Sequence, residues 1–132
     1  MRTEIFTMCE RAVQKRDDFS ITNTFDGFVT AQVPFIPPPF DVVVRLRVEG
    51  IEADGENHAL SMRIADPDGK ILIQTPPMQV RVNPPHGTRT LSAGLCFHVS
   101  NLSFAEFGEH MIDLAVDRIH LASIPLFVSK TA

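Results

Sequence analysis

The chain has 132 residues, 44% hydrophobic and 21% charged, with a formal net charge of −4. That is one domain, residues 1–132, able to bury roughly two-thirds of its unfolded surface without disulfides or metal. The composition excludes collagen-like, disordered, coiled-coil and membrane-spanning chains.

The chain enters through Arg2, Thr3 and Glu4 with no apolar run of the secretory kind, so a cytoplasmic location is expected. Cys9 and Cys96 are then reduced thiols, and the glycosylation sequon at Asn101-Leu102-Ser103 is empty. Residues 8–16 have helix-friendly composition but no apolar stripe, and read as the end of a first strand running into a hairpin. The densest basic run is Arg11, Lys15 and Arg16, followed directly by Asp17 and Asp18. That is a solvated turn; together with the net negative charge it argues against nucleic acid as a partner. No stretch approaches 18 apolar residues, which argues against a membrane partner.

Six of the ten Phe (Phe6, Phe19, Phe25, Phe28, Phe35 and Phe40) fall in the first forty residues, and the chain has no Tyr or Trp. Rings without a polar edge suit a core, and carbohydrate platforms and most protein hot spots rely on the rings this chain lacks. Pro37-Pro38-Pro39 is a stiff connector into the next strand.

From there the period is two. Residues 42–48 place Val42, Val44, Leu46 and Val48 on one face and Val43, Arg45 and Arg47 on the other. A turn at Asp54-Gly55 precedes residues 58–65, with Leu60, Met62 and Ile64 inward. Asp66-Pro67-Asp68-Gly69 is turn chemistry. Pro76-Pro77 and Pro84-Pro85 bracket a strand at 78–83 and mark ends or edges. Residues 90–100 and 110–117 alternate again, and Asp117-Arg118 leaves room only for a tight hairpin. The result is all-β: an antiparallel β-sandwich of roughly seven to nine strands.

Three stretches resemble a family of small bacterial proteins of unknown function with an immunoglobulin-like β-sandwich. They are Ser20-Ile21-Thr22-Asn23-Thr24-Phe25-Asp26; the arginine-bearing strand Val42–Arg47 with the turn Ala65–Lys70; and Leu102-Ser103-Phe104 through Gly108-Glu109-His110 to Ala122–Leu126. The chain departs from the pattern at 14–20, where a Gly-containing hairpin is expected, and at His110, where such domains usually carry Tyr. The resemblance implies the fold and brings no activity. In the corner formed by Phe104, Gly108 and His110 an imidazole can donate one backbone bond while filling an apolar slot; the competing reading is a buried pH switch.

Four constellations carry chemistry. Cys96 and His98, two apart on a strand, share a face and offer two ligands to a zinc or copper ion. A third ligand would have to come from His58, His120 or Cys9; the alternative is a small apolar Cys beside a surface His. Arg45, Arg47, Arg63 and Arg81 face outward, and on neighbouring strands would form a basic stripe for a carboxylate or phosphate. The alternative there is cross-strand pairing with Glu49, Asp113 or Asp117. Asp66-Pro67-Asp68-Gly69 opens like a calcium loop but lacks the distal Glu. Serine and histidine must meet somewhere, yet no nucleophile elbow, phosphate loop or dinucleotide fingerprint is present.

No cofactor and no enzymatic activity are expected. The leading reading is an interaction or structural module with a protein partner, itself included, using edge strands and the apolar residues Val43, Met111 and Phe127 on otherwise polar faces. A small-anion module on the arginine stripe comes second and a metal-dependent activity at Cys96 and His98 third.

Overall fold

The computed structural model describes residues 1–16, 18–49, 57–81 and 90–132. Asp17, the Asp54-Gly55 turn, the end of the 78–83 strand and Pro84-Pro85 lie outside them. Among the described residues ten strands follow in chain order: β1 (Arg2–Lys15), β2 (Asp18–Phe25), β3 (Gly27–Thr30), β4 (Phe40–Glu49), β5 (Asn57–Ala65), β6 (Ile71–Gln74), β7 (Met78–Arg81), β8 (Thr90–Val99), β9 (Gly108–Val116) and β10 (Ile119–Lys130). They form two sheets: β2-β1-β4-β8, and β3-β10-β9-β5-β6 with β7 also paired to β5.

The alternating pattern explains the layering, because one face of each strand must leave water. Val42, Val44, Leu46 and Val48 of the first sheet meet Leu60, Met62, Ile64, Ile112 and Leu114 of the second in one buried cluster. The count exceeds the expected seven to nine for two local reasons. The chain bends at Asp26 between β2 and β3 and so changes sheets, and β3 then runs parallel to β10, the exception among the otherwise antiparallel pairings of the described residues. Pro76-Pro77 splits the edge beside β5 into β6 and β7. Thr75 bridges the gap, its N–H donating to Met62 O at 2.9 Å and its hydroxyl accepting from Met62 N–H at 3.0 Å.

The turns behave as their residues dictate. Asp117 and Arg118 both have positive φ, 50° and 68°, as a two-residue hairpin with right-handed strand twist requires. Gly69 takes φ 87° at the end of the Asp66 turn.

Residues 8–16 end the first strand and run into the β1–β2 hairpin as expected, and that hairpin has a second role. Asn23 adopts φ 53°, a left-handed conformation that Asn tolerates. Beyond it the arm folds back over the outer face of the first sheet: Ala12 N–H donates to Asp41 Oδ2 on β4 at 2.9 Å, and Gln14 Nε2 donates to Gly94 O on β8 at 2.8 Å. Phe19 and Ile21 pair with Gln14 and Ala12 and so share the arm's inner face. This corrects the expectation for Val43. It points away from the core as its parity demands, yet it is fully buried, because the arm covers it.

Candidate functional site

The four arginines do not form one stripe. Arg45 and Arg47 belong to β4 in the first sheet, Arg63 to β5 and Arg81 to β7 in the second. Parity puts each on an outer face, but the two outer faces look in opposite directions. Arg47 Nη2 donates to Glu4 Oε1 at 2.8 Å, and Arg45 Nε lies 3.4 Å from the same oxygen. The Arg47 hydrogen bond, with the charges of Arg47, Arg45 and Arg2, holds the Glu4 carboxyl below its ordinary value against a smaller opposing effect of burial. Glu4 was not legible as the partner, because a register shift between Thr3 and Ile5 sets its place on β1. Arg63 Nε donates to Asp113 Oδ2 at 3.1 Å, the cross-strand pairing weighed from sequence.

Cys96 and His98 share the outer face of β8, under or beside the arm. His98 Nδ1 lies 2.7 Å from Asp41 Oδ1, so one carboxylate ties β8 and the arm to β4. Burial pushes the Cys96 thiol up to about 11, helped by the negative charge of Asp41 and by Cys9. Both cysteines are free, and a thiol held protonated at neutral pH is a poor nucleophile. Of the other candidate ligands, Cys9 lies near enough to Cys96 to act on its thiol, whereas His58 and His120 are engaged elsewhere: His58 Nδ1 lies 2.7 Å from Asp117 Oδ2, and His120 Nε2 lies 2.6 Å from Ser123 Oγ.

Among the described residues, three potential metal-ligating side chains come together at Asp66, Asp68 and Glu106, within 4.8 Å of one another. Glu106 arrives from the β8–β9 connection, where no sequence spacing announces it. Asp66 Oδ1 accepts the amides of Asp68 and Lys70. Repulsion from Asp68, with some desolvation and the charge of Asp66, raises the Glu106 carboxyl above its ordinary value.

His110 is fully buried. Its Nδ1–H donates to Gly108 O at 3.2 Å, and its ring meets Phe104 edge-on at 5.0 Å and 88°. It fills the corner as a structural side chain does, with Nε2 left without a hydrogen-bond partner among the described residues.

The outer face of the second sheet carries a polar row across four strands: Ser123, Asp113, Arg63 and Gln74. Ser123 Oγ donates to Asp113 Oδ1 at 2.5 Å and accepts from His120. Serine thus stands between acid and imidazole, the reverse of the order in which histidine would take the serine proton. Met111 and Phe127 lie on this outer face too, Met111 partly covered and Phe127 38% exposed.

The Phe-rich first third opens on a cavity of about 520 Å³ at the junction of the two sheets. Phe25, Phe28 and Phe40 form its floor, with ring centroids 5.1 to 5.9 Å apart. Pro38 and Pro39 wall it, and Glu10 stands at its rim with Asn23, which donates to Glu10 Oε1 at 2.7 Å. The cavity lies at the end of β2, the strand that closes the first sheet on one side; among the described residues nothing pairs with its second edge. No helix among them is long and apolar enough to cross a membrane.

The chain belongs to the family of unknown function DUF6941, whose model matches residues 4–129. No curated protein matches the sequence. A solved structure titled Pseudomonas fluorescens alkylpurine DNA glycosylase AlkC bound to DNA containing an abasic site analog is similar at 10% identity and a TM-score of 0.46. The match covers 79% of this chain and 28% of that one.

Proposed function

We propose that this member of the DUF6941 family is a non-enzymatic interaction module of the bacterial cytoplasm, an immunoglobulin-like sandwich that associates with a second copy of itself along β2. One observation carries the reading: the edge strand Asp18–Phe25 has one charged residue, Asp18, no Lys, Arg or Pro, and runs into a half-exposed Phe pocket. Natural sheets guard open edges with lysine, proline or bulges, since unpaired N–H and C=O groups recruit further strands. The five residues Asp18–Thr22, ahead of the left-handed Asn23, form a surface for strand addition, with the pocket beyond supplying apolar area. An antiparallel edge is self-complementary about a two-fold axis, so a second copy fits without a separate recognition sequence.

Ser20 and Thr22 are exposed on β2, so Ser20→Lys with Thr22→Lys guards the edge and leaves the core untouched. Sedimentation velocity should show a concentration-dependent dimer for the native chain and a monomer for the doubly substituted one. A native chain that stays monomeric at every concentration, or a substituted chain that dimerises unchanged, contradicts the reading.

A further inference from the structure

The polar row on the second sheet borders a depression of about 190 Å³ that the association reading does not use. Its floor follows from residue size. Ala115 on β9 pairs with Ser61 on β5 and with His120 on β10, so two small side chains sit between longer ones. Arg63, Gln74, Arg118 and His120 rise around them.

The charge bookkeeping in this dip favours donors. Asp113 is its acid, and both carboxylate oxygens are engaged, Oδ2 by Arg63 Nε and Oδ1 by Ser123. Arg63 spends only Nε in that bond, leaving its terminal nitrogens without a hydrogen-bond partner among the described residues. Arg118 follows Asp117 in the β9–β10 turn, and its positive φ places it in the hairpin tip beside the dip. Two guanidinium groups, an amide and a hydroxyl therefore surround a small space with a single carboxylate; Arg63 balances that acid and still presents its terminal N–H donors, while Arg118 leaves one net positive charge.

We infer that this depression binds a small oxyanion, a phosphate or carboxylate group, between Arg63 and Arg118. Guanidinium forks match such anions bidentately and hold them better than a point charge does. The site keeps Arg63 from the expected stripe and replaces the other three arginines with Arg118, Gln74 and Ser61.

The test is a titration of the full chain with inorganic phosphate, and separately with acetate, at constant ionic strength, following the arginine Nε–H and backbone amide resonances. Saturable shifts at Arg63, Arg118 and Ala115 are expected, and the stronger of the two anions identifies the group. Arg118→Gln, at an exposed turn, should weaken binding roughly ten-fold, the worth of one charge-assisted hydrogen bond. Arg47→Gln on the opposite sheet should change nothing. Failure of both anions to give saturable shifts overturns the inference, as does an Arg47→Gln effect equal to that of Arg118→Gln.

Discussion

Asp41 Oδ2 accepts the backbone N–H of Ala12 at 2.9 Å, joining residues 29 apart in the chain and fastening the β1–β2 arm across the sheet it belongs to. The second oxygen, Oδ1, meets His98 on β8 at 2.7 Å. A largely buried carboxylate with both oxygens engaged replaces the water it lost, and its removal leaves the Ala12 N–H unsatisfied.

Asp41→Ala should therefore lower unfolding stability by about 1–3 kcal/mol. It should also release the arm, so that a thiol reagent reaches Cys96 faster in the folded protein than it does in Asp41→Asn, which removes the same charge but keeps an acceptor for the Ala12 N–H. Denaturant unfolding and reagent kinetics on the same sample check both. An unchanged thiol rate means that the arm is held by other contacts.

The two thiols set an alkaline limit. The pKa of Cys96 is raised from 9.0 to about 11, chiefly by burial, and that of Cys9 is also raised, again chiefly by burial. Because the folded state resists ionisation, the unfolded chain loses these protons first. The associated stability is intact below pH 9 and is lost as pH climbs through about 11. Thermal unfolding across this window should show the fall, and Cys96→Ser should flatten it. A native profile that is level across the window contradicts the assignment.

Gly27 stands where β3 passes β10, and a Cβ there would lie 2.3 Å from Phe127 O. The obstacle is backbone and cannot swing aside, so Gly27→Ala should cost about 1–3 kcal/mol or more. The amide-exchange rates of Phe127 and Val128 should rise with it.

Arg47 and Arg63 belong to separate sheets, each with its own acid. Replacing either by Ala should change stability by no more than about 1 kcal/mol. The double replacement should equal the sum of the two within about 0.5 kcal/mol. A larger coupling energy in urea unfolding would show that the two sites communicate.

Much of this architecture is legible from alternation. Val42 to Val48, Leu60 to Ile64 and Leu114 declare their buried face because a strand repeats every two residues. What alternation cannot give is which strands are neighbours. Arg45 and Arg63 have the same pattern and lie on opposite outer faces, since sheet membership depends on pairings between distant segments. Val43 shows the same limit: its parity is outward as read, but the arm that buries it is positioned by Asn23 and Asp41. Glu106 meets Asp66 and Asp68 only because the β8–β9 connection passes them. The depression around Ala115 was hidden for a related reason, since small residues form a site only once their taller cross-strand neighbours are known.

Hydrogen exchange at the amides of Asp18–Phe25, measured across a range of protein concentrations, tests the association at β2 most directly. If two copies pair along this edge, outward amides of β2 become protected as concentration rises, and the Ser20→Lys, Thr22→Lys chain shows no such protection. Outward amides that exchange at the same fast rate at every concentration would contradict it.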